Sequence, residues 1–442
     1  MANNKNSRVP FAMFSFSIIT FVFIWGIAVG RFEVFPHSFF VSAGKGFAEI
    51  FSQFSKFSLW YYQPTKYQES ITIADRAKIQ PGLTKITQID GDRRMSVKII
   101  DIDGELVHHW KIGWFSIWPD VTHLTDIEIP QSLPGTHIHG AEIDDDANLV
   151  FNFEHLGLVK LDACGNILWK LPYRTHHSVF VDDDGNYWVS AQKNHYTKTA
   201  EFPLANPKPK YVEEMILKVS PEGEILLEKS IPKLLEENGL IALTLMSTQR
   251  NWTLEQVDDT LHLNDVEVFS RDMAPGFFQP GDVMISLRNI HSVIVFDSQW
   301  QLKYRSTGHM VRQHDPDFVD GNTLSFFDNN NVGPVNAGHS SLISMHDVVN
   351  DEYSVAFSGS KDFPFYTQIM GKHQWLQNGN LIFTESMHGR ALEVSPDGKL
   401  LWQYINIVEP GITGVVEEAE RLPAKKNAEF FRQASLSCDK PV

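Results

Sequence analysis

The stretch HGAEIDDDAN at 139–148, continued by LVFNFE and GLVKLDACGNILWKL, combines a histidine, an acidic turn and short runs of β-branched and aromatic residues. It returns along the chain. HHSVFVDDDG at 176–185 leads into NYWVSAQ and, after an insertion, MILKVSPEGEILLEKS; HLNDVEVF, starting at His262, leads through another insertion to DVMISLRNIHSVIVFDSQWQLKYRS. HDPDFVDG at 314–321 is followed by NTLSFFDNN and SLISMHDVVNDEYSVAFSG, and HQWLQNG at 373–379 by NLIFTESMHGRALEVSPDGKLLWQY. A degenerate first copy, MSVKIIDIDGELVHHWKI at 95–112, keeps only the outer half of the unit. Short runs bounded by Asp-Gly and Asn-Gly pairs read as strands joined by hairpins. One such four-strand unit cannot bury its own faces, so the repeats predict an all-β fold, a six-bladed β-propeller over residues 82–423. ITGVVEEAERLP at 412–423 is expected to add a strand to the first unit and close the ring.

The 442 residues carry a net charge of -16, which excludes nucleic acid as a partner, because a phosphate-binding surface needs a surplus of Lys and Arg. The two cysteines, Cys164 and Cys438, have no paired-ligand spacing, so neither a thiolate zinc site nor a multiply bridged scaffold is expected; one long-range bridge stays open. FAMFSFSIITFVFIWGIAVG at 11–30 is uncharged and long enough for a bilayer core of roughly 30 Å. It predicts a single transmembrane helix ahead of the propeller, with a cleaved signal peptide ending near Val41-Ser42-Ala43 as the rival reading. Lys5 and Arg8 keep residues 1–10 in the cytoplasm, so the protein is expected in the inner membrane with its propeller in the periplasm or outside the cell. Residues 31–80 read as a helical linker with an aromatic face of Phe39, Phe40, Phe47, Phe51, Phe54 and Leu59, and residues 424–442 as a tail.

Five units open on a histidine: His139, His176, His262, His314 and His373. First strands line the channel of a propeller, so these imidazoles are expected to share one repeat position and converge near one end of the axis. The second strands end in Gln192, Arg288, Asn289, Asp328, Asn329 and Glu385, and Asn264 follows His262 on the same strand face. Arg288 suits a tetrahedral oxyanion, which a guanidinium fork binds through paired charge-assisted hydrogen bonds. Imidazoles around one guanidinium fit group transfer to sulfur or phosphorus, with one histidine attacking and a second protonating the leaving oxygen. They also fit a His-ligated metalloenzyme, although the fixed charge of Arg288 opposes a metal ion and none is expected. A third reading is a non-catalytic tethered propeller that binds a partner at its channel mouth. Neither a phosphate-binding G-x-x-x-x-G-K-[ST] loop nor a G-x-G-x-x-G fingerprint is present, so no nucleotide cofactor is expected.

The motifs Leu261-His262-Leu263-Asn264-Asp265, Ser286-Leu287-Arg288-Asn289 and Gln313-His314-Asp315, the last followed by Phe327-Asp328-Asn329-Asn330, resemble the bacterial arylsulfate sulfotransferases, over roughly residues 82–423. The resemblance implies a ping-pong reaction. A histidine takes the sulfuryl group from a phenolic sulfate ester and passes it to another phenol, without phosphoadenosine phosphosulfate. By motif it implies His314 as the nucleophile, His262, Asn264 and Arg288 as the sulfate-binding and leaving-group cluster, and His176 as a further channel histidine. His373 is a reserve candidate for the nucleophile, and His373 and His139 join His176 and Asn264 as substrate-binding. The insertion SRDMAPGFFQPGD at 270–282 separates His262 from Arg288 and is a place where the pocket mouth could be reshaped.

Overall fold

The computed structural model describes residues 8–32, 60–126, 128–196, 207–246, 249–250, 253–254, 256–332, 339–361 and 363–438. The chain divides into two compact units, Met1–Ser58 with Asp126–Glu128, and Leu59–Thr125 with Ile129–Val442. In the first unit, helix α1 spans Arg8–Phe32. Its stretch Met13–Arg31 is long and apolar enough to cross a membrane, a property shared by anchors and signal sequences. The aromatic face expected at 39–59 lies outside the described residues. Beyond it the chain is extended rather than helical: Tyr62–Pro64 pairs with Ile412–Gly414, and Ile71–Ile73 pairs with Leu400–Ile405. Ile71 and Ile73 pack on the core around Trp402, so burying these side chains holds them as strand.

In the second unit the strands form a β-propeller whose described sheets include six built on one antiparallel four-strand plan. Sheet 1 takes Val416–Arg421 as its pore strand and continues with Thr84–Ile89, Met95–Ile100 and Leu106–Ile112. Sheets 2 to 6 begin on the pore strands Ile138–Ile143, Thr175–Val181, Leu263–Val268, His314–Phe318 and His373–Trp375. Val416–Arg421 pairs antiparallel with Thr84–Ile89, the closure expected of residues 412–423.

Large side chains fill the spaces between sheets. Trp110, Trp169 and Trp402, each on an outermost strand of its repeat, donate their indole N–H to the carbonyls of Asp162, Pro221 and Ile102 in the hairpins of the following sheet. Trp188 lies in a core with Leu263 and Ile285 of the next sheet. Trp110, Trp188 and Trp402 are packing residues, since burial combined with a satisfied N–H leaves no ring face for a ligand; Trp169 is half-buried with its N–H satisfied. The aspartates that open the hairpins are consumed by the turns: Asp144 Oδ1 accepts from the N–H of Asp146 and Asn148, and Asp182 Oδ1 from those of Asp184 and Asn186.

The 270–282 insertion does not reach the pocket mouth. It lies at the hairpin end of sheet 4, where Phe278 is buried against Phe269 and Phe318 and its N–H bonds the carbonyl of Gly321. The 424–442 stretch carries a short helix, Ala428–Ala434, and Cys438 is disulfide-bonded to Cys164 in sheet 2, realising the long-range bridge.

Candidate active site at the pore mouth

Each pore strand ends on a closing pair with its neighbour: Ile143↔Leu149, Val181↔Tyr187, Val268↔Val283, Phe318↔Leu324, Trp375↔Leu381 and Arg421↔Thr84. Four residues before those pairs stand His139, His177, Asn264, His314, Gly371 and Glu417. Register shifts cluster at this rung. A bulge leaves one residue unpaired and re-aims its side chain, and five of the six rung positions carry a polar side chain, Gly371 of sheet 6 being the exception.

The five unit-opening histidines therefore do not share one position. His139 and His314 stand on the common rung; His176 is one residue early, His262 two residues early and His373 two residues late. In sheet 3 the place belongs to His177, which the sequence reading missed although the doublet His176-His177 was visible; counting back from the Asp182 turn instead of forward from the first histidine selects it. His177 is the hub. Its ring centroid lies 4.5 Å from that of His139, 4.8 Å from His262, 5.0 Å from His176 and 6.3 Å from His314.

His314 is buried, and its tautomer is set from behind. Asn329 Nδ2 donates to the carbonyls of Thr367 and Met370, so Asn329 Oδ1 must face His314 Nδ1, at 2.6 Å. Nδ1 then carries the proton and Nε2 keeps its lone pair. Burial, followed by the charge of Arg288, holds the His314 pKa well below its ordinary value. His314 is thus a neutral base at pH 7.

Arg288 follows directly on the second strand of sheet 4, and its backbone N–H bonds the carbonyl of His262. Burial and the neighbouring Arg312 lower its pKa to about 10, which leaves it charged. Arg312 was missed by sequence reasoning. It comes two residues before His314, and its Nε is buried without a hydrogen-bond partner. A guanidinium beside a neutral imidazole, with the second guanidinium of Arg312 close to the first, suits an oxyanion. Asn264 Nδ2 donates to the carbonyl of Gln313 at 2.7 Å, and its buried Oδ1 has no partner. Asn289 Nδ2 donates to the carbonyl of Asp259, whose carboxylate Oδ2 meets His262 Nδ1.

His373 is not brought into this group. Its Nδ1 lies 2.9 Å from Asp315 Oδ2 and its Nε2 lies 2.8 Å from Ser325 Oγ, so both nitrogens are engaged. It lies beside a cavity of about 400 Å³ nearer the hairpins, lined by Asp265, Glu267, Asp317 and Lys372 among others. The other second-strand ends serve the scaffold: Glu385 pairs with Arg390, Asp328 Oδ1 accepts the N–H of Val311 and Asn330, and Gln192 bonds Asn194.

Two sets of side chains crowd closely enough to suggest a metal: His139, Glu154 and His177, and Asp315, Asp317 and His373. Neither suits a cation. Both His177 nitrogens meet other imidazoles, at 2.9 Å and 3.3 Å, and Lys372 places an ammonium 2.6 Å from Asp315.

A family model described as Arylsulfotransferase (ASST) matches residues 141–407. The chain belongs to that family. No curated protein matches it. Among solved structures, a protein of unknown function from Bacteroides caccae is 12% identical, covering 76% of this chain and 99% of its own, with a TM-score of 0.45. TolB from Acinetobacter baumannii is 13% identical, covering 76% and 66%, with a TM-score of 0.43. BamB from Moraxella catarrhalis is 10% identical, covering 81% and 98%, with a TM-score of 0.32.

Proposed function

We propose that the protein moves a sulfuryl group from an aryl sulfate ester to a phenol in two steps through a sulfated His314. Family membership supports aryl sulfotransferase activity in general. The observation that carries the finer reading is the backing of His314 Nδ1 by Asn329, which makes Nε2 the nucleophilic atom.

In the first step Nε2 attacks sulfur and the bond from sulfur to the phenolic oxygen breaks. Arg288 and Arg312 neutralise the sulfuryl oxygens as charge shifts onto the leaving oxygen. A phenolate is a poor leaving group unless protonated, and His262, held by Asp259, supplies the proton from Nε2. In the second step an acceptor phenol returns a proton to His262 and its oxygen displaces His314 from sulfur. His139, His176 and Asn264 then belong to the substrate-binding surround; His373, with both nitrogens engaged, does not take the nucleophile's part.

The apolar span Met13–Arg31, the basic residues Lys5 and Arg8 ahead of that span, and the disulfide favour a propeller tethered at the outer face of the inner membrane, since disulfides persist in oxidising compartments. The test is to expose the protein to 4-nitrophenyl sulfate without acceptor and map the adduct by peptide mass spectrometry. A +SO₃ group on the His314 peptide that disappears when phenol is added is the expected result; turnover that persists in His314→Ala sinks the assignment.

A further inference from the structure

The imidazoles, guanidinium groups and amides near His314 answer to the sulfuryl end of a substrate; its aryl end needs a wall of carbon. The sheets follow one another around the pore, so sheets 1 and 2 stand across it from sheets 4 and 5, which carry Arg288 and His314. On that opposite side the rung carries Glu417 and His139, and His137 comes two residues before His139. Trp60 and Tyr61, in the turn that leads into Tyr62–Pro64, lie against His137. The Tyr61 ring centroid is 4.8 Å from the imidazole, and Trp60 meets it edge-on at 5.8 Å.

Trp60 Nε1 donates to His137 Nε2 at 2.5 Å. An indole N–H can only donate, so in this arrangement His137 carries its proton on Nδ1 and gives it to Glu417 Oε1, also at 2.5 Å. The indole is thereby held in place, yet Trp60 keeps 44% of its surface exposed and Tyr61 is half-buried. Two carboxylates flank the rings. Glu417 is fully buried, and its Oε2 has no hydrogen-bond partner. Glu154, just after the second strand of sheet 2, lies 3.9 Å from His139 Nδ1 and 3.5 Å from His155 Nε2. Burial, then the charges of Glu417 and Glu154, push the Tyr61 phenol up, so that phenol stays neutral with both carboxylates within electrostatic reach. Glu154 is also within electrostatic reach of Arg288.

We propose that Trp60, Tyr61, Glu154 and Glu417 form the aryl subsite of the pore, a wall that holds the ring of the phenolic acceptor and selects acceptors bearing an ammonium group over those bearing a carboxylate. The proposal rests on the transfer reading above and deepens it by naming the substrate class.

The faces of Trp and Tyr attract a cation through the ring quadrupole, and nearby carboxylates add to that attraction. A carboxylated phenol would instead bring a like charge against Glu154 and Glu417, in a pore where little water screens it. Packing gives no reason for Glu417 Oε2, since a buried oxygen without a donor is costly. An ammonium substituent supplies the donor it lacks. Burial lowers and Glu417 raises the His137 pKa, with a net rise, so acid would place a second proton where the indole N–H now points. The measurements below are therefore made at pH 8.5.

The test uses the full chain with 4-nitrophenyl sulfate as donor and three acceptors of similar length: 4-(2-aminoethyl)phenol, 4-ethylphenol and 4-hydroxyphenylacetate. In the parent, kcat/KM for the ammonium acceptor should exceed that for the carboxylate acceptor by at least about tenfold, with the neutral phenol between them. Glu154→Gln should narrow that ratio about three- to tenfold. Trp60→Leu should raise KM for all three acceptors by about fivefold or more with a smaller change in kcat, and Trp60→Phe, which keeps a ring, should recover part of the loss. Equal kcat/KM for the two charged acceptors in the parent, or a ratio that Glu154→Gln leaves unmoved, overturns the proposal. If Glu154→Gln misfolds, Glu417→Gln takes its place and the parent's order of acceptors still decides. A parent protein that transfers sulfate to none of the three phenols overturns the transfer reading instead, so the two failures are told apart.

Discussion

Asn329 and His314 are joined at 2.6 Å through the one pair of atoms that leaves the imidazole's outer nitrogen unprotonated. The Asn329 amide cannot flip, because its Nδ2 is held by two carbonyls, at 3.0 Å and 2.7 Å. Asn329→Ala should free the ring to take the other tautomer and lower kcat by about 10²-fold or more, with a smaller change in KM. Burst-phase kinetics of nitrophenolate release separate this from a binding defect, because the amplitude should survive while the rate falls.

Arg288 sets the acid limb of the pH profile. A cation beside an imidazole disfavours the imidazolium, so the working free base of His314 persists well below pH 6.5. In Arg288→Met the His314 pKa rises, and the acid limb of kcat/KM should move to higher pH while its plateau drops by about 10²–10³-fold. A profile whose limb stays in place would separate Arg288 from His314.

Charge in the hairpin half of the pore ties stability to pH. Burial, with Asp315 nearby, raises the folded-state pKa of Asp265 from 3.8 to about 6, although Lys372 opposes the shift. A carboxyl raised on folding contributes least cost below its unfolded pKa, and the penalty grows as pH climbs through 4 to 6. Asp265→Asn should therefore raise Tm at pH 8, by a change worth about 1–3 kcal/mol, and raise it less at pH 5. Differential scanning calorimetry at the two pH values decides this.

The Cys164–Cys438 bridge joins sheet 2 to the segment after the last propeller strand. A cross-link over so long a loop restricts the unfolded chain, so Cys438→Ser should cost about 2–5 kcal/mol and lower Tm. Activity per folded molecule should not change, and reductant should reproduce the shift in the parent but not in the variant.

What the sequence disclosed and what it hid divide along one physical line. Strand alternation and turn residues are local, and they identified the repeats, the apolar helix and the strand at 416–421 that completes sheet 1. The rank of a side chain in the pore is not local, because a bulge shifts phase without leaving a composition signal. His177 was overlooked in favour of His176 for that reason, and His373 was admitted although it stands nearer the hairpins. Asp259 carries no motif: it stands only three residues before His262, yet nothing in its composition marked it as that imidazole's partner. Asn329 was visible in the Asp-Asn-Asn run, but its bearing on a proton position emerged only from the two carbonyls behind it.

Sheet 1 is assembled from both ends of its domain, with Val416–Arg421 laid against Thr84–Ile89. Synthesis runs amino end first, so the strand bearing Glu417 is the last of the pore strands to be made. Until it arrives, Thr84–Ile89 presents a bare flank that any other extended segment could occupy. A message cut short just before residue 416 would thus yield not a slightly smaller enzyme but an open horseshoe with an adhesive seam, prone to clump with its siblings.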